Sequence, residues 1–496
     1  MGWSKEGDNF QMVGREPQIS LILQSLASLW QAPTRNPAPL LLHFYGMRGI
    51  GKTRLLETVK TEVQKQPPGP GLLTLFLTTP DENQLAERSE AAHYRALDEI
   101  DVFFNDFYKQ FRESVQLNRL GWQLEEYERL LSNRSQIRDE EGLWLRAKTL
   151  ASDLSRLRRE AGLRLLILED SAPTKVFQWL SKFFYKDLLA EGALCVVATG
   201  FNAPVVSTLS LVQYFKCQPL LPLQSEEVQQ ALKYYDFPAL LQQQLIELSA
   251  GHPSSLARAV TELKPLLEER PDYFEKTGKL NREGLARITN AVADTLLEGV
   301  NPTLARCCRL ISPLRSFRYD TLAALLPALM PEDPKYGRAS VVDYMLLGKE
   351  LNDQIDFIES DKTYVMHPIA RTVLSKALRY SDPKGTRYRQ VNLEAINYYT
   401  GLMERLEKSE QRYDALLEEI YHRLLLVHLE VETEGRALKP ALSEVAQVLD
   451  KRLSRIGGLE GNRRLAMMME NDRDFRQLFP AEIDDLVQML YEARVR

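Results

Sequence analysis

The sequence predicts an α/β fold, a parallel sheet covered by helices on both faces, followed by a mostly helical remainder. Three observations carry that expectation. Short runs ending at Tyr45 and spanning 71–79, 163–170 and 193–200 are nearly all apolar rather than alternating, as strands buried on both faces require. Helical patterns separate these runs, which is the spacing of βαβ units. After Leu220 the strand signals mostly stop. At 496 residues the chain exceeds what one core supports, and length alone suggests about three domains.

Taken in order, residues 10–31 read as a short lead and an amphipathic helix, and APTRNPAPL is a proline-rich loop. The run to Tyr45 is a buried strand, and helical spacing begins at Lys52. GLLTLFLTT (71–79) is a second strand. Residues 81–160 carry a mostly helical pattern, and Phe103, Phe104, Phe107, Tyr108 and Phe111 recur on one face, as core packing does rather than base stacking. LRLLILED and ALCVVATG supply two more strands. Residues 225–268 read as short helices broken at AGHPSS, and 266–290 as a charged linker. Residues 300–380 give three helical patterns, then QIDFIE and KTYVMH as the strands of a hairpin. SDPKGTR (381–387) is a charged break before an all-helical tail to Arg496.

Bulk composition narrows the classes. A net charge of −5 argues against a whole-chain nucleic-acid binder and leaves room for a local basic patch. Cys195, Cys217, Cys307 and Cys308 lack metal-ligand spacing and read as free thiols of a reducing compartment. The N-terminus has no apolar signal core, and no apolar run approaches the ~18 residues of a membrane span. The expectation is a cytoplasmic protein without a membrane partner.

The chemistry concentrates in Gly46-Met47-Arg48-Gly49-Ile50-Gly51-Lys52-Thr53, which matches G-x-x-x-x-G-K-[ST] between a predicted strand and a predicted helix. Glycines let successive backbone N–H groups turn inward as an anion nest, and the helix N-terminus adds its positive end. Lys52 then reaches β- and γ-phosphate oxygens, and the Thr53 hydroxyl serves Mg²⁺. A second carboxylate-bearing strand must complete such a site. LLILED supplies Glu169 and Asp170 at a strand's carboxyl end, where ligands of these sheets bind. Both are taken as catalytic, with Lys52, and as Mg²⁺ ligands, with Thr53.

The ordered set of motifs resembles the STAND class of P-loop signal-transduction ATPases, with its NB-ARC and NACHT types. MVGREPQISLI resembles the family's VGRE lead-in, GMRGIGKTRLL its glycine loop, LLILED its Walker B strand and LCVVATG its sensor-1 strand. LPLQSEEVQQAL resembles the start of its helical lid, SAGHPSSLARAV its GxP motif, and YVMHPIARTVL the MHD motif of its winged helix. The resemblance implies a P-loop NTPase sheet domain at 1–220 with a helical insertion near 81–160. It continues with a helical lid and linker at 221–290, a winged-helix domain at 291–380 and a helical sensor or partner-docking region at 381–496. It implies ATP or ADP bound by Val13, Gly14 and Arg15, by the loop from Gly46 to Arg54, by Pro253 at the base and by His367 at the β-phosphate.

Three departures from that pattern bear on turnover: Glu169 replaces the family's usual first Walker B Asp, Gly200 stands in place of a sensor-1 Arg, and Pro368 replaces the acid of MHD. They leave binding intact and point to slow hydrolysis. The leading expectation is therefore an ATP/ADP-dependent switch controlling assembly or a partner effector, with bacterial defence signalling as the implied setting. It brings a protein partner on the C-terminal helices and admits a homo-oligomer, whereas nucleic acid is not expected as a partner. Two alternatives stay open: a nucleotide-locked scaffold subunit, and an AAA+ initiator-like ATPase that binds DNA through its winged helix.

Overall fold

The computed structural model describes residues 14–31, 40–67, 69–78, 92–132, 139–200, 202–204, 209–333, 336, 355–358, 363–456 and 458–492. The chain forms two compact units, Met1–Asp236 and Phe237–Arg496.

In the first unit, β1 (Leu41–Tyr45), β2 (Leu72–Thr78), β3 (Arg164–Asp170), β4 (Leu194–Gly200) and β5 (Phe215–Pro219) form one sheet in the order β2-β3-β4-β1-β5. Every neighbouring pair is parallel. Four of the five strands match the apolar runs. The exception is β5, FKCQP, an edge strand whose residues are half-buried or exposed, so its faces are only partly covered and no apolar run marks it. The principal helices are α1 (Glu16–Ala27), α2 (Lys52–Lys65), α3 (Ala92–Leu117), α4 (Glu140–Ala161), α5 (Thr174–Leu180), α6 (Lys186–Ala190) and α7 (Ser225–Leu232), with shorter helices over Glu125–Ser132 and Leu209–Val212. A π-turn over Ser181–Tyr185 joins α5 to α6. The phenylalanines of α3 are core, as their spacing predicts: Phe103, Phe104 and Phe107 stack edge-on or tilted against Phe184 and one another.

In the second unit, α8 (Ala239–Ser249) ends at Ala250 in the left-handed conformation, and α9 (Pro253–Glu269) begins after His252, where AGHPSS predicts a break. The 266–290 linker reading is corrected. α10 (Arg282–Leu296) starts inside it, with the Asn281 side chain accepting from Gly284 N–H, because a capped charged segment can be a helix when one face is buried. Then come α11 (Pro302–Ile311), α12 (Tyr319–Leu329), the antiparallel pair β6 (Ile355–Ile358) and β7 (Thr363–Met366), and α13 (Pro368–Tyr380). The tail from Thr386 to Glu492 is helical, as expected. Arg315, 9% exposed, ties this tail to the α11–α12 turn. It donates to both oxygens of Glu418 at 2.7 and 3.2 Å, pairs with Asp472, and lies over the rings of Tyr421 and Phe475. The four cysteines are free thiols, as expected. Among the described residues no helix is long and apolar enough to cross a membrane.

The architecture is thus an α/β P-loop domain followed by a helical C-terminal region. Its strand ends converge on the loop after β1.

Candidate functional site

β1 ends at Tyr45, and the chain enters the loop with Gly49 and Gly51 at φ of +79° and +99°. Gly51 is the N-cap of α2, and a Cβ built there meets nothing within 4 Å, so the backbone angle and not crowding selects glycine. No side chain caps α2, which leaves its first N–H groups directed at the loop. Met47 and Ile50 are buried and anchor the loop in the core, while Arg48 is exposed. Arg54 is exposed and pairs with Glu57 at 3.5 Å, on the outer face of the helix. Lys52 folds over the loop, its Nζ donating to Gly46 O at 2.6 Å and Met47 O at 3.0 Å.

Beside the loop, the Thr53 hydroxyl donates to Asp170 Oδ2 at 2.7 Å, and the Thr199 hydroxyl donates to Oδ1 at 2.9 Å. Thr199 Oγ1 in turn accepts from Ser171 N–H at 3.1 Å, holding Ser171 at φ +59°, a left-handed angle uncommon outside glycine. Both carboxylate oxygens of Asp170 are therefore oriented by hydroxyls from two other elements. Thr199 escaped the sequence reading. Its only signal was a polar residue closing an apolar strand, and its partner lies 29 positions away.

Glu169 is a correction. Successive strand residues face opposite sides of the sheet, so with Asp170 beside Thr53, Glu169 faces away from the loop. It is 1% exposed, and its Oε2 accepts from Tyr185 OH at 3.2 Å. Its Oε1 has no hydrogen-bond partner among the described residues. Burial pushes its pKa up to about 7, although the Tyr185 bond pulls the other way. A buried carboxyl held there by a tyrosine is neither beside the loop nor available as the metal ligand the sequence suggested.

The strand register puts Leu77, Glu169, Ala198, His43 and Cys217 in one row across this rear face. His43 is buried, edge-on to Phe177 at 4.8 Å, with Nδ1 3.9 Å from Cys217 Sγ. Burial, reinforced by the Lys52 charge, pushes its pKa down to about 3, so the ring is neutral. A Cβ at Gly200 would come within 2.9 Å of His43 Cε1 and Nε2 and 3.2 Å of Ala172 O. Packing, then, enforces the glycine where the resembled family carries an arginine.

Arg15 is 4% exposed and donates from its guanidinium to Ile50 O at 3.0 Å, Leu221 O at 2.8 Å and, at 3.5 Å, Gly14 O. It braces the loop from below. Gly14 directly precedes it, and Val13 lies outside the described residues. Pro253 and His367 belong to the second unit. Pro253 is the first residue of α9, behind a fully buried His252 whose Nδ1 accepts from Ser255 N–H at 3.3 Å. His367 is the N-cap residue of α13, without a side-chain capping bond.

No protein-family profile and no curated protein matches the chain. Solved structures do match. The ORC2 protein of Aeropyrum pernix, in ADPNP–ADP complexes, is 12% identical over 76% of this chain and 97% of its own, with a TM-score of 0.33. The ORC1 protein of the same organism, in complex with DNA, is 13% identical over 74% of this chain and 93% of its own, with a TM-score of 0.37. Drosophila ORC bound to GC-rich DNA and Cdc6 is 12% identical over 92% of this chain and 78% of the matched chain, with a TM-score of 0.30. None of these neighbours is described as a STAND, NB-ARC or NACHT protein or as a defence protein, so that assignment finds no support among them. Two of the three were solved with DNA, a property of those proteins that stands against the expectation that nucleic acid is not a partner. Net charge over a whole chain is a poor guide to a local interface.

Proposed function

We propose that the chain is an ATP/ADP-binding switch of the P-loop ATPase class that holds its nucleotide and turns it over slowly. One observation carries this reading: the Thr53–Asp170–Thr199 network stands ready-made beside a glycine loop whose N–H groups and lysine suit a polyphosphate. On nucleotide binding, the Lys52 ammonium exchanges two backbone carbonyls for phosphate oxygens. The N-terminus of α2 and the loop amides neutralise the remaining charge. Thr53 and Asp170, a hydroxyl and a carboxylate, are the hard oxygen donors that Mg²⁺ prefers and would hold it. Bound there, the metal would neutralise phosphate charge. Slow turnover follows from β3: Asp170 is engaged by two hydroxyls, Glu169 faces the other side, and the next residue, Ser171, has no carboxylate to take a proton from water. The switch is proposed to act on a protein partner.

The test is to denature the purified full chain and identify the released nucleotide by ion-exchange chromatography. The expected result is stoichiometric ADP or ATP, absent from Lys52→Ala. A wild-type protein that releases none and binds no added MgATP would end this reading.

The second unit favours a second reading, an initiator-like ATPase that engages DNA. α10 to α12 followed by the β6–β7 hairpin is the element order of a winged helix, a helix-turn-helix relative. Anisotropy titration of duplex DNA over a salt series tests it. The reading expects an affinity that falls steeply with salt, and no binding at low salt would dismiss it.

A further inference from the structure

A single nitrogen of the buried Arg15 guanidinium, Nη2, makes both of its shorter bonds, to Ile50 O at 3.0 Å and to Leu221 O at 2.8 Å. These carbonyls lie 35 and 206 positions along the chain. The Ile50 carbonyl and the Gly51 N–H are the two ends of one trans peptide plane, so an anchor on the oxygen fixes where the N–H points. Gly51 is the N-cap of α2, and under the nucleotide reading its N–H is one of the loop amides offered to a phosphate.

The Leu221 carbonyl belongs to the segment that runs from β5 to α7. In the same segment the Leu220 N–H donates to Tyr45 O at 2.7 Å, at the entry of the loop. The segment is therefore tied to both ends of the loop, directly at Tyr45 and through Arg15 at Ile50. Just beyond it, Gln224 is the N-cap of α7 in a capping box, its N–H donating to Glu227 Oε2 at 2.6 Å. Glu227, with Glu16, supplies the negative charge that offsets the burial of Arg15. The Glu227 carboxyl also lies against Gly14, where a Cβ would come within 2.6 Å of it. α7 is the last helix of the first unit, which ends at Asp236.

We propose that Arg15 is a positioning residue that couples occupancy of the glycine loop to α7. A phosphate that accepts from Gly51 N–H polarises the same peptide and strengthens the Arg15 bond to Ile50 O. Because one nitrogen holds both carbonyls, a shift of the Ile50 peptide passes to Leu221 and on to the first turn of α7. This role, which rests on the nucleotide reading above, is exercised on backbone carbonyls and needs no contact between Arg15 and the base.

The test is amide hydrogen exchange of the full chain, read over α7 with and without saturating MgADP, with α4 as the control and calorimetry to measure MgADP binding. In the wild type MgADP should slow exchange over α7 about fivefold and leave α4 unchanged. Arg15→Ala should bind MgADP about tenfold more weakly and, once saturated, show no slowing over α7. A side chain that merely props the fold would, when removed, speed exchange with and without nucleotide alike. The ratio of the two would then stay as in the wild type, and that result would overturn the proposal. So would a wild-type α7 whose exchange ignores bound MgADP, an outcome that needs no variant and leaves the nucleotide reading standing. Failure of the wild type to bind MgADP in the calorimeter would end both.

Discussion

On the loop side of the sheet, Asp170 accepts from Thr53 and Thr199, and both of its oxygens are placed. On the rear side Glu169, one residue earlier, accepts from Tyr185, and among the described residues its Oε1 and the Nε2 of His43 are buried without a hydrogen-bond partner. The loop side is a satisfied polar network on which a ligand can act. The rear side is an apolar layer that tolerates a few polar atoms at an energetic cost. The difference teaches that adjacent acids at a strand end need not serve one site, because the pleat separates them by the thickness of the sheet.

The largest expected effect tests that separation directly. Asp170→Ala should weaken MgATP binding by on the order of a hundredfold, the scale of losing a charge-assisted pair. Glu169→Gln should leave it within about twofold, a variation well under 1 kcal/mol. Calorimetric titration of both variants decides the matter, and an equal loss in the two would break the comparison.

Next in size is the crowding at Gly200. Gly200→Ala should cost about 2 kcal/mol by overpacking against His43. In a His43→Ala background the same change should cost clearly less, a coupling that a double-mutant cycle in urea can read. Strict additivity would place the strain elsewhere.

The smallest effect concerns pH. Glu169 has a folded-state pKa near 7 against an ordinary 4.5. Between those values the unfolded chain gives up a proton that the folded chain keeps, so this group's contribution to stability is full below 4.5 and lost as pH rises through 7. Glu169→Gln should therefore be more stable relative to the wild type at pH 8 than at pH 4, by a difference of at least about 1 kcal/mol, while the pH-independent cost of burying the amide shifts both values alike. His43 and His422, both pushed down to about 3 by burial, work in the opposite sense and are common to both proteins. Thermal melts at pH 4 and pH 8 make the comparison. A constant difference would mean that Glu169 titrates alike in both states.

Much of this was legible in the chain. The glycine loop, the strands β1 to β4, the hairpin at β6 and β7, the helical tail and the aromatic core of α3 all follow from local patterns whose period or spacing has one structural reading. β5 was not legible, because its residues are half-buried or exposed and carry no apolar run. The helix from Arg282 was not legible either, because charge on its outer face concealed the buried stripe of Ile288, Val292 and Leu296.

By itself, then, the sequence determined that a glycine loop with G-x-x-x-x-G-K-[ST] spacing sits between a buried strand and a helix, since its glycines act through local backbone angles. The sequence reading assigned both neighbouring acids to that loop, whereas the alternation of a strand lets only one of them face it. Which one was a matter of register, fixed when Thr53 and Thr199, 117 and 29 positions from Asp170, closed on it from two other elements. Hydrogen bonds of that span exist only once the sheet and α2 have packed, so tertiary structure alone assigned Asp170 to the loop and Glu169 to the core.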